Sequence, residues 1–361
     1  MATIESYETK SGKRYRVRYR TPDRKQTDKR GFRTKRDAEA FANTVEVEKL
    51  TGTYIAPKLG QITIGELGPD WLARQSHLKP SSYRPVETSW RVHVEPKWGS
   101  KRLADVTMTS VEQWITDLGA AGKGATVVIR AYGILAAILD DAVKDRRIAR
   151  NPARGVDNLP RKKKRAHIYL THDQVQRLAE NAGANGTMVL TMAYCGLRWG
   201  EAVGLRVQDV DLLRKRLTIT QNAVEVGREV IVGTPKNHKQ RSVPVPRFLV
   251  VELAHQCEGK TRGALVFPGA DSKHMRSPRS ERGWFDGAVK RAGLPRLTPH
   301  DLRHTAASLA VSAGANVKAV QKMLGHASAA MTLDVYADLF DDDLDAVANA
   351  LDDARASACA G

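Results

Sequence analysis

A basic segment containing proline divides the chain and constrains how it can fold. Residues 151–165, NPARGVDNLPRKKKR, hold two prolines, one glycine and five consecutive cations. Proline interrupts helices and strands, and a run of like charges repels itself, so the segment is typical of a linker. In a chain of 361 residues, a linker at this place predicts more than one domain, each with its own hydrophobic core.

The charge balance predicts a polyanionic partner. The chain has 58 Lys and Arg against 40 Asp and Glu, a formal net charge of +18, which favours nucleic acid; basicity without a defined patch is the alternative. Its three cysteines have no paired spacing, which argues against disulfides and for a reducing compartment. The amino terminus lacks a signal-peptide pattern, and no apolar run approaches the roughly 20 residues that span a bilayer. We therefore expect a soluble, cytoplasmic protein with no membrane partner.

Residues 1–60 predict a small α+β domain. In RYRVRYR, residues 14–20, cationic and apolar residues alternate, so one face of a strand carries Arg14, Arg16, Arg18 and Arg20. A helix capped by Thr34, with an apolar stripe, is predicted to follow. A basic ribbon of this width can enter the major groove of DNA, whereas the simpler interpretation is a solvated edge strand.

The middle of the chain predicts helices and then a linker. Residues 62–153 carry apolar residues at helical spacing and predict an all-α domain, whose tryptophans we assign to the core or to an interface. Residues 154–165 are the basic linker, with its cations at Arg161, Lys162, Lys163, Lys164 and Arg165. The linker is either a solvated connector or a strap across a phosphate backbone.

Residues 166–340 predict a mixed, mainly α domain. Thr171 is placed to cap a helix, and RLTIT, EVIVG and RSVPVP predict successive strands of a small antiparallel sheet. Residues 341–361 form an acidic tail that keeps helical spacing and is expected to dock on this chain or on a neighbouring one.

One predicted helix of this third domain is rich in polar groups. In PHDLRHTAASLA, residues 299–310, an apolar face is predicted at the spacing of Leu302 and Ala306, which leaves His300, Arg303 and His304 at its edge or beyond. Two histidines four residues apart could bind a metal, an arginine with neighbouring donors could bind an anion, or all three could be surface groups. No Glu follows the first His as in HExxH, and no cysteine lies near, which weakens the metal interpretation.

Four stretches of the same domain settle the choice together. They are CGLRWGE, TPKNHKQR, HDLRH and LGHASAAMTLDVYADL, and in this order they resemble the motifs of the tyrosine recombinase family, specifically phage-type integrases with an amino-terminal arm-binding domain. Cleaving a phosphodiester through a covalent intermediate needs a nucleophile, an acid for the leaving oxygen and cations for the developing charge. Two arginines can supply the last of these without a metal.

The resemblance implies a role for each matching residue. Tyr336 matches the nucleophile that forms a 3'-phosphotyrosine and releases a 5'-hydroxyl. Arg198 and Arg303 match the phosphate-binding arginines, His326 a donor to a non-bridging oxygen, and His300 a helper of proton transfer. Lys236 matches the lysine that protonates the leaving oxygen, with Lys239 and Arg241 near enough in sequence to be alternatives. Glu201 matches an acidic position that orients its neighbours, and His304 is expected to be structural.

The resemblance also implies an organisation and partners. It predicts an arm-type DNA-binding domain in residues 1–60, a helical core-site-binding domain in 62–153 and the catalytic domain in 166–340. It implies double-stranded DNA attachment sites, a homotetramer working through a Holliday junction, no cofactor and no ATP, with a host DNA-bending protein and an excisionase as helpers. A type IB topoisomerase-like relaxing enzyme and a DNA-binding regulator that has lost cleavage are the alternatives.

Overall fold

The computed structural model describes residues 2–22, 24–51, 54–56, 58–162, 167–234, 240–278, 283–336 and 344–359. Contacts divide the chain into two compact units, Met1–Lys163 and Lys164–Gly361. The division falls inside the basic segment 151–165 that predicts a linker. Both units are built mainly from helices, with small antiparallel sheets. No described helix is long and apolar enough to cross a membrane.

The first unit begins with a three-stranded sheet packed on one helix. Its antiparallel strands are β1 (Thr3–Thr9), β2 (Gly12–Arg20) and β3 (Gln26–Phe32), in the order β1-β2-β3, and its helix is α1 (Lys35–Leu50). Thr34 caps α1, because its hydroxyl accepts a hydrogen bond of 3.1 Å from the Asp37 amide. Val17 and Tyr19 of β2 are buried against the apolar stripe of α1, which confirms the predicted alternation along β2.

The rest of the first unit is helical and has a separate core. Its helices are α2 (Ile64–Ala73), α3 (Pro80–Ser89), α4 (Glu95–Trp98), α5 (Met108–Ala120) and α6 (Ala125–Lys144), and a π-helical turn joins α3 to α4. Four tryptophans expected in the core are at most 8 % exposed: Trp71, Trp90, Trp98 and Trp114. Helix α2 lies so close to Trp90 that a Cβ atom at Gly68 would be 2.0 Å from the indole ring.

The second unit has nine described helices. They are α7 (His172–Asn181), α8 (Gly186–Cys195), α9 (Trp199–Ala202), α10 (Arg247–Cys257), α11 (Trp284–Arg291), α12 (Pro299–Ser312), α13 (Val317–Leu324), α14 (Ala329–Tyr336) and α15 (Leu344–Cys359). Thr171 caps α7 as predicted, in a capping box with Gln174. Helices α8 and α12 pack against each other, and both contribute buried residues to the core of this unit.

The strands of the second unit form two small sheets. They are β4 (Val210–Asp211), β5 (Arg216–Ile219), β6 (Asn222–Val226), β7 (Glu229–Gly233) and β8 (Arg241–Pro244). One sheet has the order β4-β5-β8, and β6 and β7 form a separate hairpin. The prediction of successive strands is therefore wrong in two respects, since β6 was missed and β5 pairs with β8. The missed turn has Gly227 at a φ of 69°, a conformation that glycine adopts without strain and that suits a two-residue hairpin loop.

The polar residues of α12 also differ from the prediction. All side chains from Asp301 to Ala307 are buried, so α12 is covered on every side over this stretch. Arg303 and His304 therefore lie in the interior, not at the edge of an apolar face, and only His300 of the three is exposed. The cause is tertiary: α8 packs on one side of α12 and α13 on another.

Candidate active site

Two glycine-terminated helix ends bring the predicted residues of the second unit together. Helix α8 ends at Gly196, whose φ of 65° turns the chain toward Arg198 at the start of α9. Helix α13 ends at Gly325, whose φ of 66° turns the chain directly into His326. Left-handed residues at helix ends favour glycine because it has no Cβ atom. Two of the four predicted motifs therefore begin at a helix end that needs its glycine.

A buried carboxylate links two arginines at the edge of the site. Glu201 is 1 % exposed, and its Oε1 and Oε2 accept hydrogen bonds of 2.8 and 2.6 Å from the two Nη atoms of Arg241. Arg198 donates to the same carboxylate through Nη1 at 2.9 Å and through its backbone amide at 2.8 Å. Burial alone would raise the pKa of Glu201, but the hydrogen bonds and the charges of both arginines outweigh it and lower the pKa to about 2. Glu201 is thus ionised at neutral pH and orients both guanidinium groups.

Arg303 lies in the core beneath these groups. Its side chain donates through Nη1 to the Gly196 carbonyl and through Nη2 to the Leu324 carbonyl, so it ties together the ends of α8 and α13. Burial, and then the nearby charge of Arg198, lower the pKa of Arg303 to about 9. Arg303 therefore stays protonated at neutral pH, and its charge acts on a poorly solvated site.

Two aromatic rings face each other near Arg303. The rings of His326 and Tyr336 are stacked at 6.3 Å with an angle of 8° between their planes. His326 Nδ1 forms a hydrogen bond of 2.9 Å with Thr332 Oγ1, which fixes the imidazole against α14. Burial, and then the charge of Arg303, lower the pKa of His326 to about 4, so this imidazole is neutral at pH 7.

The hydroxyl of Tyr336 is held by a histidine that was expected to be only structural. Tyr336 is 1 % exposed, and its Oη lies 2.9 Å from Nδ1 of His304. Burial raises the pKa of Tyr336 to about 12, although the charge of Arg303 acts in the opposite direction. His304 packs in turn against His300, with ring centroids 4.8 Å apart, and against His167, at 4.0 Å.

His300 opens this cluster to solvent. It is exposed, and together with Arg198 it lines a cavity of about 300 Å³ whose far wall is formed by the β6–β7 hairpin and Met275. Partial burial, and then the charge of Arg303, lower the pKa of His300. The cavity therefore leads from the surface to the polar cluster.

The remaining predicted residues are either outside the described part of the chain or in the first unit. Lys236 and its alternative Lys239 lie outside the described residues, as do Lys163, Lys164 and Arg165. Arg161 and Lys162 are described and exposed. In the first unit, Arg16 and Arg18 form ion pairs with Glu5 of β1, at 2.5 and 3.1 Å, so part of the cationic face predicted for β2 is neutralised.

Sequence reasoning missed the contacts of three polar side chains that the structure adds to the site, although it named Arg241 as an alternative to Lys236 and expected His304 to be structural. They are Arg241, His304 and Thr332. His304 had a signal, because it follows Arg303 directly and lies four residues after His300, and the i, i+4 spacing puts the two histidines side by side. The contacts of Thr332 and Arg241 had no such signal, since Thr332 bonds His326 across a helix end and Arg241 bonds Glu201 from 40 positions away.

A metal interpretation of the histidines finds no support in the described part of the chain. The described residues contain no group of three or more His, Cys, Asp and Glu side chains arranged to hold a metal ion. His304 instead uses Nδ1 for Tyr336, and His326 uses Nδ1 for Thr332.

The chain matches two protein-family models and several named relatives. Residues 169–342 match the model of the phage integrase family, and residues 6–49 match the model of an arm DNA-binding domain. The prophage phiRv2 integrase of Mycobacterium tuberculosis is 27% identical over 333 residues, covering 89% of this chain and 88% of the relative. The integrase of Mycobacterium phage D29 is 27% identical over 281 residues, covering 75% of this chain and 74% of the relative.

Solved structures share the fold. The Tn1549 transposon integrase in complex with a circular intermediate DNA has a TM-score of 0.67 at 20% identity, covering 76% of this chain and 95% of that one. A lambda integrase tetramer bound to a Holliday junction has a TM-score of 0.60 at 17% identity, covering 90% and 95%. The family matches, the relatives and the motif residues lead to one conclusion: the chain belongs to the phage integrase family and is a site-specific tyrosine recombinase with an amino-terminal arm DNA-binding domain.

Proposed function

We propose that this recombinase cuts DNA with Tyr336 and integrates and excises a phage or other mobile element. The observation that carries the assignment is the position of Tyr336. Its ring stacks on His326, and its hydroxyl forms a hydrogen bond with His304. Arg303 and Arg198 lie near enough to influence its pKa. In this proposal Oη attacks the scissile phosphorus, the phosphorus–O5' bond breaks, and a 3'-phosphotyrosine remains. The new ester keeps the energy for religation, so no ATP is needed.

The transition state carries extra negative charge on the non-bridging oxygens. Arg198 and Arg303 are the groups that would neutralise it, and Arg303 remains charged at neutral pH although burial lowers its pKa to about 9. If Nδ1 of His326 accepts from Thr332, its Nε2 carries the proton and can donate to one of these oxygens. Lys236 is proposed to protonate the leaving O5', with Lys239 as the alternative, and His300 to assist proton transfer around the phosphate.

Two of the proposed catalytic groups are almost completely buried. Arg303 is 2 % exposed and Tyr336 is 1 % exposed, so a phosphate can reach neither of them without a rearrangement. Exposed His300 and half-buried Arg198 are the groups that DNA can meet first. We propose that DNA binding opens the site, which restricts cleavage to chains that are engaged on DNA.

The remaining assignments concern domains and partners. We propose that residues 1–60 bind arm-type sites, that residues 62–153 bind the core site, and that Arg161 to Arg165 strap the phosphate backbone between the two main units. Lambda integrase has been solved as a tetramer on a Holliday junction, and its fold is shared with this chain, which supports a homotetramer here. A host DNA-bending protein and an excisionase would set direction.

A plasmid assay tests the proposal against its alternatives. A plasmid carrying the DNA that flanks the gene is incubated in EDTA with wild type, Tyr336→Phe or Tyr194→Phe, and then examined for covalent adducts, recombinants and relaxed circles. Tyr194 is a matched control, because its hydroxyl is also bonded to a histidine, His172, at 2.7 Å, outside the site. The proposal is supported if wild type and Tyr194→Phe both give adducts and recombinants and Tyr336→Phe gives neither. Relaxation without recombinants favours the topoisomerase, and binding without any adduct favours the regulator.

A further inference from the structure

His304 is surrounded by groups that discourage a positive charge. Its ring contacts the rings of His167 and His300, and the charge of Arg303 acts on it from its own helix, whereas Asp301 is the acidic group that acts in the opposite direction. Burial, and then His167 and His300, lower the pKa of His304 to about 4. The imidazole is therefore neutral at pH 7, and a neutral imidazole has one nitrogen that can accept a proton.

The Tyr336 hydroxyl needs such an acceptor. In the described part of the chain, the one hydrogen bond that involves Oη joins it to Nδ1 of His304, at 2.9 Å. Arg303 has no acceptor atom, and His326 already uses Nδ1 for Thr332. Tyr169 also influences the pKa of Tyr336, but a second phenol is no better a base. His304 is thus the neutral base that already touches the attacking atom.

We propose that His304 is a catalytic residue that positions the Tyr336 hydroxyl and takes its proton during attack. This inference rests on the proposed function of Tyr336. As the Oη–phosphorus bond forms, the Oη–H bond breaks and a bond forms between Nδ1 and the proton, while the phosphorus–O5' electron pair leaves with O5'. In religation the imidazolium returns its proton to Oη.

The surroundings of His304 link this step to DNA. Burial and the charges of the neighbouring histidines and Arg303 oppose an imidazolium at His304, and burial opposes a phenolate at Tyr336, so Tyr336 keeps its proton. A phosphodiester beside Arg198 and Arg303 adds negative charge next to the imidazole, and this stabilises its protonated form. Proton transfer becomes favourable only when the phosphate is in place, so Tyr336 does not react in a chain that is not bound to DNA.

The test measures adduct formation in a single turnover on a nicked substrate that traps the cleaved state. Full-length wild type, His304→Ala, His304→Asn and the control His172→Asn are followed between about pH 5.5 and 9.5, a range above the pKa of His304, so that the dependence of the rate on hydroxide can be measured. The asparagine amide reaches the position of Nδ1 and keeps a hydrogen bond, but it cannot take up a proton. His172 forms the same type of histidine–tyrosine bond away from the site.

A substrate with sulfur in place of the bridging O5' separates the two proton transfers. A thiolate leaves without an acid, so this substrate compensates for a lost leaving-group acid but not for a lost acceptor at Tyr336. We expect adduct formation to fall about 10²-fold or more in both His304 variants, on both substrates, and to recover as pH rises because hydroxide replaces the missing base. His172→Asn should match wild type.

Several outcomes would overturn the inference. Wild-type rates and pH profiles in His304→Asn would show that a hydrogen bond alone suffices, and rescue by sulfur would move His304 to the leaving-group side. DNA binding and thermal unfolding of His304→Asn that equal those of wild type exclude a folding defect. If His304→Ala does not fold, the result with His304→Asn is the one that tests the inference. No adduct from wild type would instead refute the proposed function, and the inference would fall with it.

Discussion

Replacing Glu201 with Gln should destabilise the second unit more than the same replacement of an exposed glutamate does. Glu201 is 1 % exposed and binds Arg241, which is itself only 11 % exposed, through two hydrogen bonds. Glutamine has nearly the same shape but carries no charge, so the substitution leaves the Arg241 guanidinium buried without its counterion. Removing one partner of a buried pair costs about 3–5 kcal/mol in other proteins.

The pKa of Glu201 gives a second route to the magnitude. It falls from an ordinary value of 4.5 to about 2 in the folded chain. At 1.36 kcal/mol for each pKa unit, this lowering corresponds to about 3 kcal/mol of stability at pH 7. Because the folded pKa is the lower one, this contribution is complete above pH 4.5 and is lost as pH falls toward 2. About 1 kcal/mol should be lost at pH 4 and about 2 kcal/mol at pH 3.

The assay is urea unfolding of the full chain, followed by a probe in the second unit, at pH 7 and pH 4. Wild type should exceed Glu201→Gln by about 3 kcal/mol at pH 7 and by about 1 kcal/mol less at pH 4. The control Glu258→Gln changes a carboxylate that is 80% exposed, and we expect its effect to stay within about 0.5 kcal/mol. Equal stability of Glu201→Gln and wild type, or a difference that does not shrink at pH 4, would refute the reasoning.

Three other substitutions test the packing and the charges. Gly68→Ala puts a Cβ atom 2.0 Å from Trp90 and should lower the free energy of unfolding of the helical part of the first unit by about 1–3 kcal/mol. The control Gly133→Ala in α6 meets no atom within 4 Å and should not be destabilising. Gly196→Ala combines a φ of 65° with a Leu324 methyl 2.7 Å away, so it should unfold more readily than Gly293→Ala, which has the same φ and open space around it. Glu5→Gln releases Arg16 and Arg18 from their ion pairs, so it should strengthen DNA binding and make the slope of log affinity against log salt concentration steeper by about one counterion. The control Glu39→Gln on α1 should leave this slope unchanged. Equal slopes for both variants would exclude Arg16 and Arg18 from the DNA interface.

Much of the fold follows from local rules that the sequence obeys. The alternation along β2, the caps at Thr34 and Thr171 and the buried tryptophans depend on residues close in the chain, and the structure confirms them. The hairpin β6–β7 was missed because its turn depends on a single left-handed glycine, Gly227, that does not stand in one of the common dipeptides of such turns.

The interior of the site was harder to predict, since it depends on packing between distant segments. An amphipathic pattern identifies a buried face only when the opposite face of the helix is exposed to water. Helix α12 is covered on every side between Asp301 and Ala307, so the prediction that Arg303 and His304 lie at the edge of its apolar face was wrong. The bond from His304 to Tyr336 joins residues separated by 32 positions, and that from Arg241 to Glu201 by 40. Neither leaves a local spacing to detect.

The central claim is that Tyr336 becomes covalently attached to DNA. The most direct measurement traps wild type on a nicked attachment-site substrate in EDTA, digests the complex and identifies the nucleotide-bearing peptide by mass spectrometry. We predict one modified peptide, with the 3'-phosphate on Tyr336, and none from Tyr336→Phe. A phosphate on another tyrosine, or on a serine, or an adduct of the same yield from Tyr336→Phe, would contradict the account.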